Sequence, residues 1–168
     1  MPNPLVLNVR IRLGMTDHDK INLLWKCIDN PTHFITVNPM TPMMTIDDLH
    51  NVLDATNYRF LRMSFGRGWK SNLRRYHKMV IVPECRSPKN TGNRPTLLHG
   101  HGILQIESKE LLRNFFKYFN ILFHEEVSKQ RMRRRISWKL AEPQIHVSGF
   151  KPNMDAKGYS MKNRCESA

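Results

Sequence analysis

The sequence has few cysteines, and their spacing argues against a small domain stabilised by zinc or by disulfides. Cys27, Cys85 and Cys165 lie far apart, and no CxxC pair occurs. This scarcity argues against a zinc knuckle and against a disulfide framework. Reduced thiols and an intracellular location are therefore expected.

Long apolar runs are also missing. None approaches the roughly 18 residues that cross a bilayer, and the first fourteen residues, MPNPLVLNVRIRLG, lack the apolar stretch of a signal peptide. We therefore expect no membrane partner. A content of 40% hydrophobic and 24% charged residues is ordinary for a globular domain with a buried core.

Acidic residues are scarce compared with basic ones. Asp and Glu total 14 against 27 Lys and Arg, so the formal net charge is +13 and the pI is near 10.1. A compact domain this basic typically binds a polyanion. Nucleic acid is the expected polyanion, ranked ahead of an anionic membrane surface.

The pattern of apolar residues predicts one α+β domain at residues 31–168, after an N-terminal extension at 1–30 with a short helix around 17–28. Extended, β-branched segments alternate with two amphipathic helices, which favours a central antiparallel sheet with flanking helices. The predicted strands are 33–38, 77–82, 96–106, 136–140 and 145–150, and the predicted helices are 45–65, 108–130 and 152–163.

One predicted strand carries two histidines separated by a single residue. Side chains alternate between the two faces of a strand, so His99, His101 and Gln105 are expected to point the same way. Two neighbouring imidazoles on one rigid strand can ligate a single divalent metal ion. A solvated pair of polar residues is the simpler interpretation of such a short motif.

Three further residues favour a metal-dependent active site. Glu84 ends the preceding strand, and a hairpin brings it close to His99 as a third ligand. Near the C-terminus, Tyr159 and Lys162 are three residues apart and share a helix face. This pair suggests a phenol that attacks a phosphate with a cation beside it, although an ordinary amphipathic helix end has the same pattern.

The order of these motifs resembles the HUH endonuclease superfamily, in its branch of single-tyrosine rolling-circle replication initiators. Three motifs carry the resemblance: HxHxxxQ from His99 to Gln105, the acidic Glu84, and YxxK from Tyr159 to Lys162. Residues 34–38, FITVN, and residues 65–69, FGRGW, are similar more loosely. One departure is Gly100, since the family often has a bulky hydrophobic residue between the histidines.

The resemblance implies an RRM-like sandwich with a Mg²⁺ or Mn²⁺ site made by Glu84, His99 and His101, supported by Gln105. It implies that Tyr159, assisted by Lys162, nicks single-stranded DNA and forms a 5′-phosphotyrosine that starts rolling-circle replication. The expected partners are an origin hairpin or transposon end and a helicase or replisome protein. The expected compartment is a bacterial cytoplasm, or a nucleus for a eukaryotic virus or element.

Basic residues form two clusters that we expect to contact DNA phosphates. Trp69, next to the first cluster, is expected to stack on bases. The predicted DNA-binding residues are Arg74, Arg75, Lys78, Arg131, Arg133, Arg134, Arg135 and Trp69.

Three alternatives remain open at this point. A single-strand DNA transposase or a mobilisation nickase uses the same chemistry. A non-catalytic nucleic-acid-binding domain keeps the fold and forms no covalent adduct. A plain metallohydrolase turns over without using the tyrosine.

Overall fold

A computed structural model describes residues 28, 30–42, 44–69, 77–85, 98–136 and 141–149, apart from the side chains of residues 84 and 85. The predicted elements at 17–28 and 152–163, most of the strand at 136–140 and most of the extension at 1–30 lie outside these ranges. The described elements are β1 (His33–Asn38), α1 (Ile46–Phe65), β2 (Lys78–Cys85), β3 (Leu98–Gln105), α2 (Lys109–Asn114), α3 (Asn120–Arg133) and β4 (Gln144–Gly149).

The described strands form one antiparallel sheet in the order β2-β3-β1-β4. A turn of π-helix, Phe115–Phe119, joins α2 to α3, so the three form one continuous helical segment. The element order is therefore βαββαβ, the ferredoxin-like arrangement. The predicted α+β fold with a central antiparallel sheet is confirmed. None of the helices in the described ranges has the length and apolar character needed to cross a membrane.

Local chemistry explains where α1 begins and ends. Thr45 and Asp48 form a capping box, in which each side chain accepts a hydrogen bond from the other residue's backbone N–H. At the other end Gly66 adopts a positive φ of 61°, which glycine tolerates best. The predicted helix over 45–65 is confirmed.

The second helical segment packs across α1. It starts at Ser108, whose hydroxyl accepts a hydrogen bond from the Leu111 backbone N–H. The π turn buries Phe115 and Phe119, whose rings stack with centroids 4.2 Å apart. Both rings also meet Phe60 of α1 edge-on. The helical spacing of Phe115, Phe116, Phe119 and Phe123 predicts a core stripe, and three of the four are buried, whereas Phe116 is 52% exposed.

The two faces of the sheet have different roles. On the face toward the helices, alternate residues of the strands enter the main hydrophobic core, which includes Ile35, Val37, Met79, Ile81 and Leu104. We call this the helix face. The opposite face carries His99 and His101, and we call it the histidine face.

Glycines in β3 let the neighbouring strands approach closely. A Cβ on Gly100 would lie 2.5 Å from Cγ2 of Ile81 and 3.0 Å from Cγ2 of Val37. These two side chains therefore fill the space that a hydrophobic residue between the histidines would take. At Gly102, a Cβ would overlap the backbone carbonyl of Val80.

Candidate metal centre and nucleic-acid interface

The histidines lie on a central strand, and the residues beside them come from both neighbouring strands. His101 pairs with Thr36 of β1 and with Val82 of β2. In an antiparallel sheet paired residues share a face, with Cβ atoms about 4.5–5.5 Å apart. Glu84, at the end of β2, pairs with His99.

The two imidazole rings are close enough to bind one ion. Their centroids are 5.0 Å apart and their planes meet at 85°. Two imidazoles that ligate one ion at about 2.0–2.1 Å, with roughly 90–110° between them, have centroids about 4.5–5.2 Å apart. The spacing of the two rings therefore matches that of two histidines on one metal ion, and the register confirms the predicted placement of both side chains on one face.

For Glu84, the third predicted ligand, the structure describes only the position of the backbone. The pairing of Glu84 with His99 confirms the hairpin that was expected to bring these residues together. The side chain of Glu84 lies outside the described part of the chain. Among the side chains that are described, no three His, Cys, Asp or Glu residues form a metal-binding group. The complete ligand set thus stays a prediction.

Two residues of β1 hold the ring of His101. Its Nδ1 lies 2.9 Å from the Thr36 hydroxyl, at hydrogen-bond distance. The ring of Phe34 stacks on it, with centroids 5.8 Å apart and planes 20° apart. His101 is buried, 7% exposed, so its ring sits in a defined position. The sequence gives no sign of the Thr36 contact, because it depends on the pairing of strands 65 residues apart.

Gln105 shares the histidine face but stands apart from the site. Four residues along a strand separate it from His101, which amounts to about 13 Å. Its Nε2 donates to Glu107 over 3.1 Å, and its Oε1 is buried without a hydrogen-bond partner. The structure therefore does not bring Gln105 to the two histidines.

The basic run at the end of α3, residues 131–135, is joined to the sheet by hydrogen bonds from Arg131. Its guanidinium donates to the backbone oxygens of Pro39, Met40 and Ala141 and to the Thr41 hydroxyl, over 2.9–3.2 Å. Pro39 directly follows β1, at the sheet end where β2 finishes and β3 begins. This corrects the expected phosphate contact of Arg131, since its Nε and Nη2 groups bind the chain's own oxygens.

Arg134 is also engaged within the protein. Its Nη2 donates to both carboxylate oxygens of Asp48, over 2.9 and 2.7 Å, and Gln130 donates to the same carboxylate. Burial opposes ionisation of Asp48, but hydrogen bonds from Arg134 and Thr45 hold its pKa below the usual range. Arg133 and Arg135 are exposed, and neither forms an ion pair with an acidic side chain in the described part of the chain.

Trp69 corrects another prediction. It is 8% exposed, belongs to the main core and meets Tyr58 edge-on at 5.0 Å. A ring buried in this way does not offer its face to a base, so the expected stacking is not supported. Lys78 lies on the histidine face beside Gln105, at the sheet end away from His99.

Several predicted site residues lie outside the described part of the chain. They are Tyr159, Lys162, Arg74 and Arg75. Their roles remain predictions from the sequence.

Comparison with known proteins adds no family to these observations. No family model, no curated protein and no solved structure matches the chain. The functional argument therefore rests on the sequence motifs and on the geometry around the histidines.

Proposed function

We propose that this protein nicks and rejoins single-stranded DNA through a metal-assisted tyrosine nucleophile, as in rolling-circle initiation. The observation that carries the proposal is the pair of imidazoles, with centroids 5.0 Å apart on one face of a central strand. Glu84 stands opposite His99 in the same sheet, where a third ligand is required.

Tyr159 is the proposed nucleophile. Its phenol oxygen loses a proton and attacks the phosphorus of the scissile phosphodiester, and the bond from phosphorus to the 3′-oxygen breaks. The leaving oxygen takes a proton and becomes a 3′-hydroxyl, while the 5′-phosphate stays on the tyrosine. This covalent bond keeps the energy of the phosphodiester, so the reverse reaction rejoins a strand. Lys162 lies three residues on and offsets negative charge near the phosphate.

His99, His101 and Glu84 would hold the metal, with Mg²⁺ or Mn²⁺ proposed. A divalent ion supplies charge withdrawal from the phosphate oxygens during the attack. The stacked and hydrogen-bonded ring of His101 supports this assignment, because a ligand that is already positioned loses little freedom on binding.

The location of the basic run supports a DNA substrate. Arg131 ties the end of α3 to the end of the sheet that carries His99 and Glu84. Arg133 and Arg135, which follow on the same segment, are exposed there. A single strand that reaches the histidines would thus pass near positive charge.

The decisive experiment looks for the covalent adduct. Labelled single-stranded oligonucleotides that cover the DNA on either side of the gene are incubated with the protein and Mn²⁺, then separated on a denaturing gel. We expect a protein–DNA band that Tyr159→Phe abolishes and that Tyr58→Phe and Tyr118→Phe retain. Binding of DNA without any adduct would contradict the nicking proposal and favour a non-catalytic binding domain.

A second comparison separates nicking from plain hydrolysis. A tyrosine-linked enzyme leaves the 5′ product on the protein and can join it to an added 3′-hydroxyl strand. A metallohydrolase would release both products and would tolerate Tyr159→Phe. Whether the substrate is a replication origin or a transposon end then follows from which flanking oligonucleotide is cut.

A further inference from the structure

Asn38 ends β1 and lies on the histidine face, beside the candidate metal centre. Val37 before it is buried in the main core on the helix face, so the side chain of Asn38 lies on the opposite side of the sheet. Val37 pairs with Gly100. Continuing that register by one residue sets Asn38 across from His99. Neighbouring strands are about 4.7–4.9 Å apart, so Asn38 borders the pair of imidazoles.

A backbone contact fixes the direction of the Asn38 carboxamide. The Met40 N–H donates a hydrogen bond to Oδ1 of Asn38 over 3.2 Å. A backbone N–H can only donate, so the side-chain atom that meets it must be the oxygen. The Nδ2 group therefore occupies the other branch of the carboxamide. It carries two N–H donors and makes no hydrogen bond within the described part of the chain.

The loop that makes this contact is itself anchored. Arg131 donates hydrogen bonds to the backbone oxygens of Pro39 and Met40. The Thr41 hydroxyl donates to the same Pro39 oxygen over 2.8 Å. These bonds hold the Met40 N–H, and with it the Asn38 carboxamide, at a fixed place on the histidine face. A donor that is already positioned loses little freedom when it binds a ligand.

We propose that Asn38 is a substrate-binding residue whose Nδ2 donates a hydrogen bond to a phosphate oxygen of the single strand beside the histidines. The inference rests on the proposed function and names a contact with its substrate. A phosphodiester has two non-bridging oxygens, and when one faces a metal ion the other is left for a donor from the protein. A hydrogen bond to an ionised acceptor is stronger than one between neutral groups, so an amide suffices here.

The first test removes the donor and keeps the acceptor. Asn38→Asp has the same shape and still accepts from the Met40 N–H, but a carboxylate oxygen replaces Nδ2 and repels a phosphate. We expect its affinity for a thymidine oligonucleotide to fall by about tenfold or more. Fluorescence anisotropy with Mn²⁺ present measures the affinity, in a Tyr159→Phe background so that the strand stays intact. An affinity within about twofold of the Tyr159→Phe parent would overturn the proposal.

Two further variants separate the loss of a donor from the added negative charge. Asn38→Ser adds no charge, and its hydroxyl can accept from the Met40 N–H, but it lacks the amide donors. It should bind about three- to tenfold more weakly than the parent. Asn51→Asp adds the same charge at an exposed position of α1 and should bind within about twofold of the parent. Full affinity in Asn38→Ser, or an equal loss in Asn51→Asp, would assign the effect to charge and contradict the proposal.

Oligonucleotides of different bases distinguish a phosphate contact from a base contact. Thymidine, cytidine and adenosine oligonucleotides share one backbone, so Asn38→Asp should weaken binding to all three by a similar factor. A loss confined to one base would overturn the phosphate assignment and place Asn38 against a base edge. Urea unfolding is measured for each variant, and if Asn38→Asp is destabilised, the affinities of Asn38→Ser decide.

These measurements separate the inference from the proposed function. If the covalent adduct forms and the affinity does not respond to Asn38→Asp, nicking stands and the role of Asn38 fails. If the affinity responds as expected but no adduct forms, Asn38 stands as a strand-binding residue and the nicking proposal fails. If the parent protein binds no single-stranded DNA, both proposals are wrong.

Discussion

At the scale of single residues, His77 is a buried imidazole in apolar surroundings. It precedes β2 and lies between the rings of Phe60 and Phe115, with no hydrogen-bond partner for either ring nitrogen. Burial lowers its pKa from 6.5 to about 4. The folded protein therefore keeps this imidazole neutral at pH values where the unfolded chain would protonate it.

The shift predicts a loss of stability in mild acid. The unfolded chain binds a proton near pH 6.5 and the folded chain only near pH 4, so stability is full above pH 6.5 and falls as the pH drops between these values. The total loss is roughly 3 kcal/mol. Urea unfolding at pH 7.5 and pH 5 captures about 2 kcal/mol of this loss, because pH 5 still lies above the pKa of the folded state.

A substitution isolates the contribution of this histidine. His77→Leu is expected to remove most of the loss between pH 7.5 and pH 5, because leucine is apolar and has no proton to bind. His146→Gln, at an exposed position of β4, serves as the control and should retain the loss. The same pH dependence in His77→Leu as in the wild type would contradict the assignment.

At the scale of elements, the end of α3 forms a Schellman motif. The Ile136 N–H donates to the Arg131 carbonyl and the Arg135 N–H to the Met132 carbonyl, each over 3.0 Å. Arg135 has a φ of 55°, in the left-handed region that glycine adopts without steric strain. An arginine at this position is strained, although its side chain is exposed.

Arg135→Gly is therefore expected to separate stability from DNA binding. The free energy of unfolding should rise by about 0.5–1 kcal/mol, because the left-handed conformation costs glycine nothing. Affinity for single-stranded DNA should fall, because a predicted phosphate contact is lost. Urea unfolding and fluorescence anisotropy measure the two effects, and an unchanged affinity would remove Arg135 from the predicted interface.

The close approach of β2 to β3 gives an element-scale prediction about glycine. Gly102→Ala is expected to cost about 3 kcal/mol or more, because the new methyl group overlaps the Val80 carbonyl and the strands must separate. Gly100→Ala is the matched control in the same strand. Its methyl group would crowd side-chain methyl groups of Ile81 and Val37 and would meet the Val82 backbone oxygen at an ordinary 3.5 Å, so a cost of about 1–2 kcal/mol is expected. Equal losses in the two variants would contradict this reasoning.

At the scale of the whole molecule, the charge of +13 predicts salt-sensitive DNA binding. Each phosphate neutralised on a single strand contributes about 0.7 to the slope of log affinity against log salt. Removing Arg133 and Arg135 by substitution with Gln should reduce that slope by about 1.4. Lys109 and Arg113, exposed on α2, supply a control with the same change in charge. Equal slopes for the two double variants would show that net charge alone determines binding.

Much of the secondary structure was predictable because its signals are local. Thr45 and Ser108 mark helix starts through contacts within one turn, and the aromatic stripe between Phe115 and Phe123 identifies a buried face. The same holds for His99 and His101, whose common face follows from the two-residue period of any strand. These features depend only on neighbours along the chain.

The surroundings of those residues depended on the tertiary structure. Strand pairing placed Thr36 against His101 and Glu84 against His99, and packing placed Trp69 in the core. The basic run reads as uniform positive charge in the sequence, yet Arg134 binds Asp48 across 86 residues of chain. Which strand lies next to which, and which charge meets which, is settled when distant segments pack together. The sequence alone therefore determined the types of element and the candidate ligands, and the fold decided their partners.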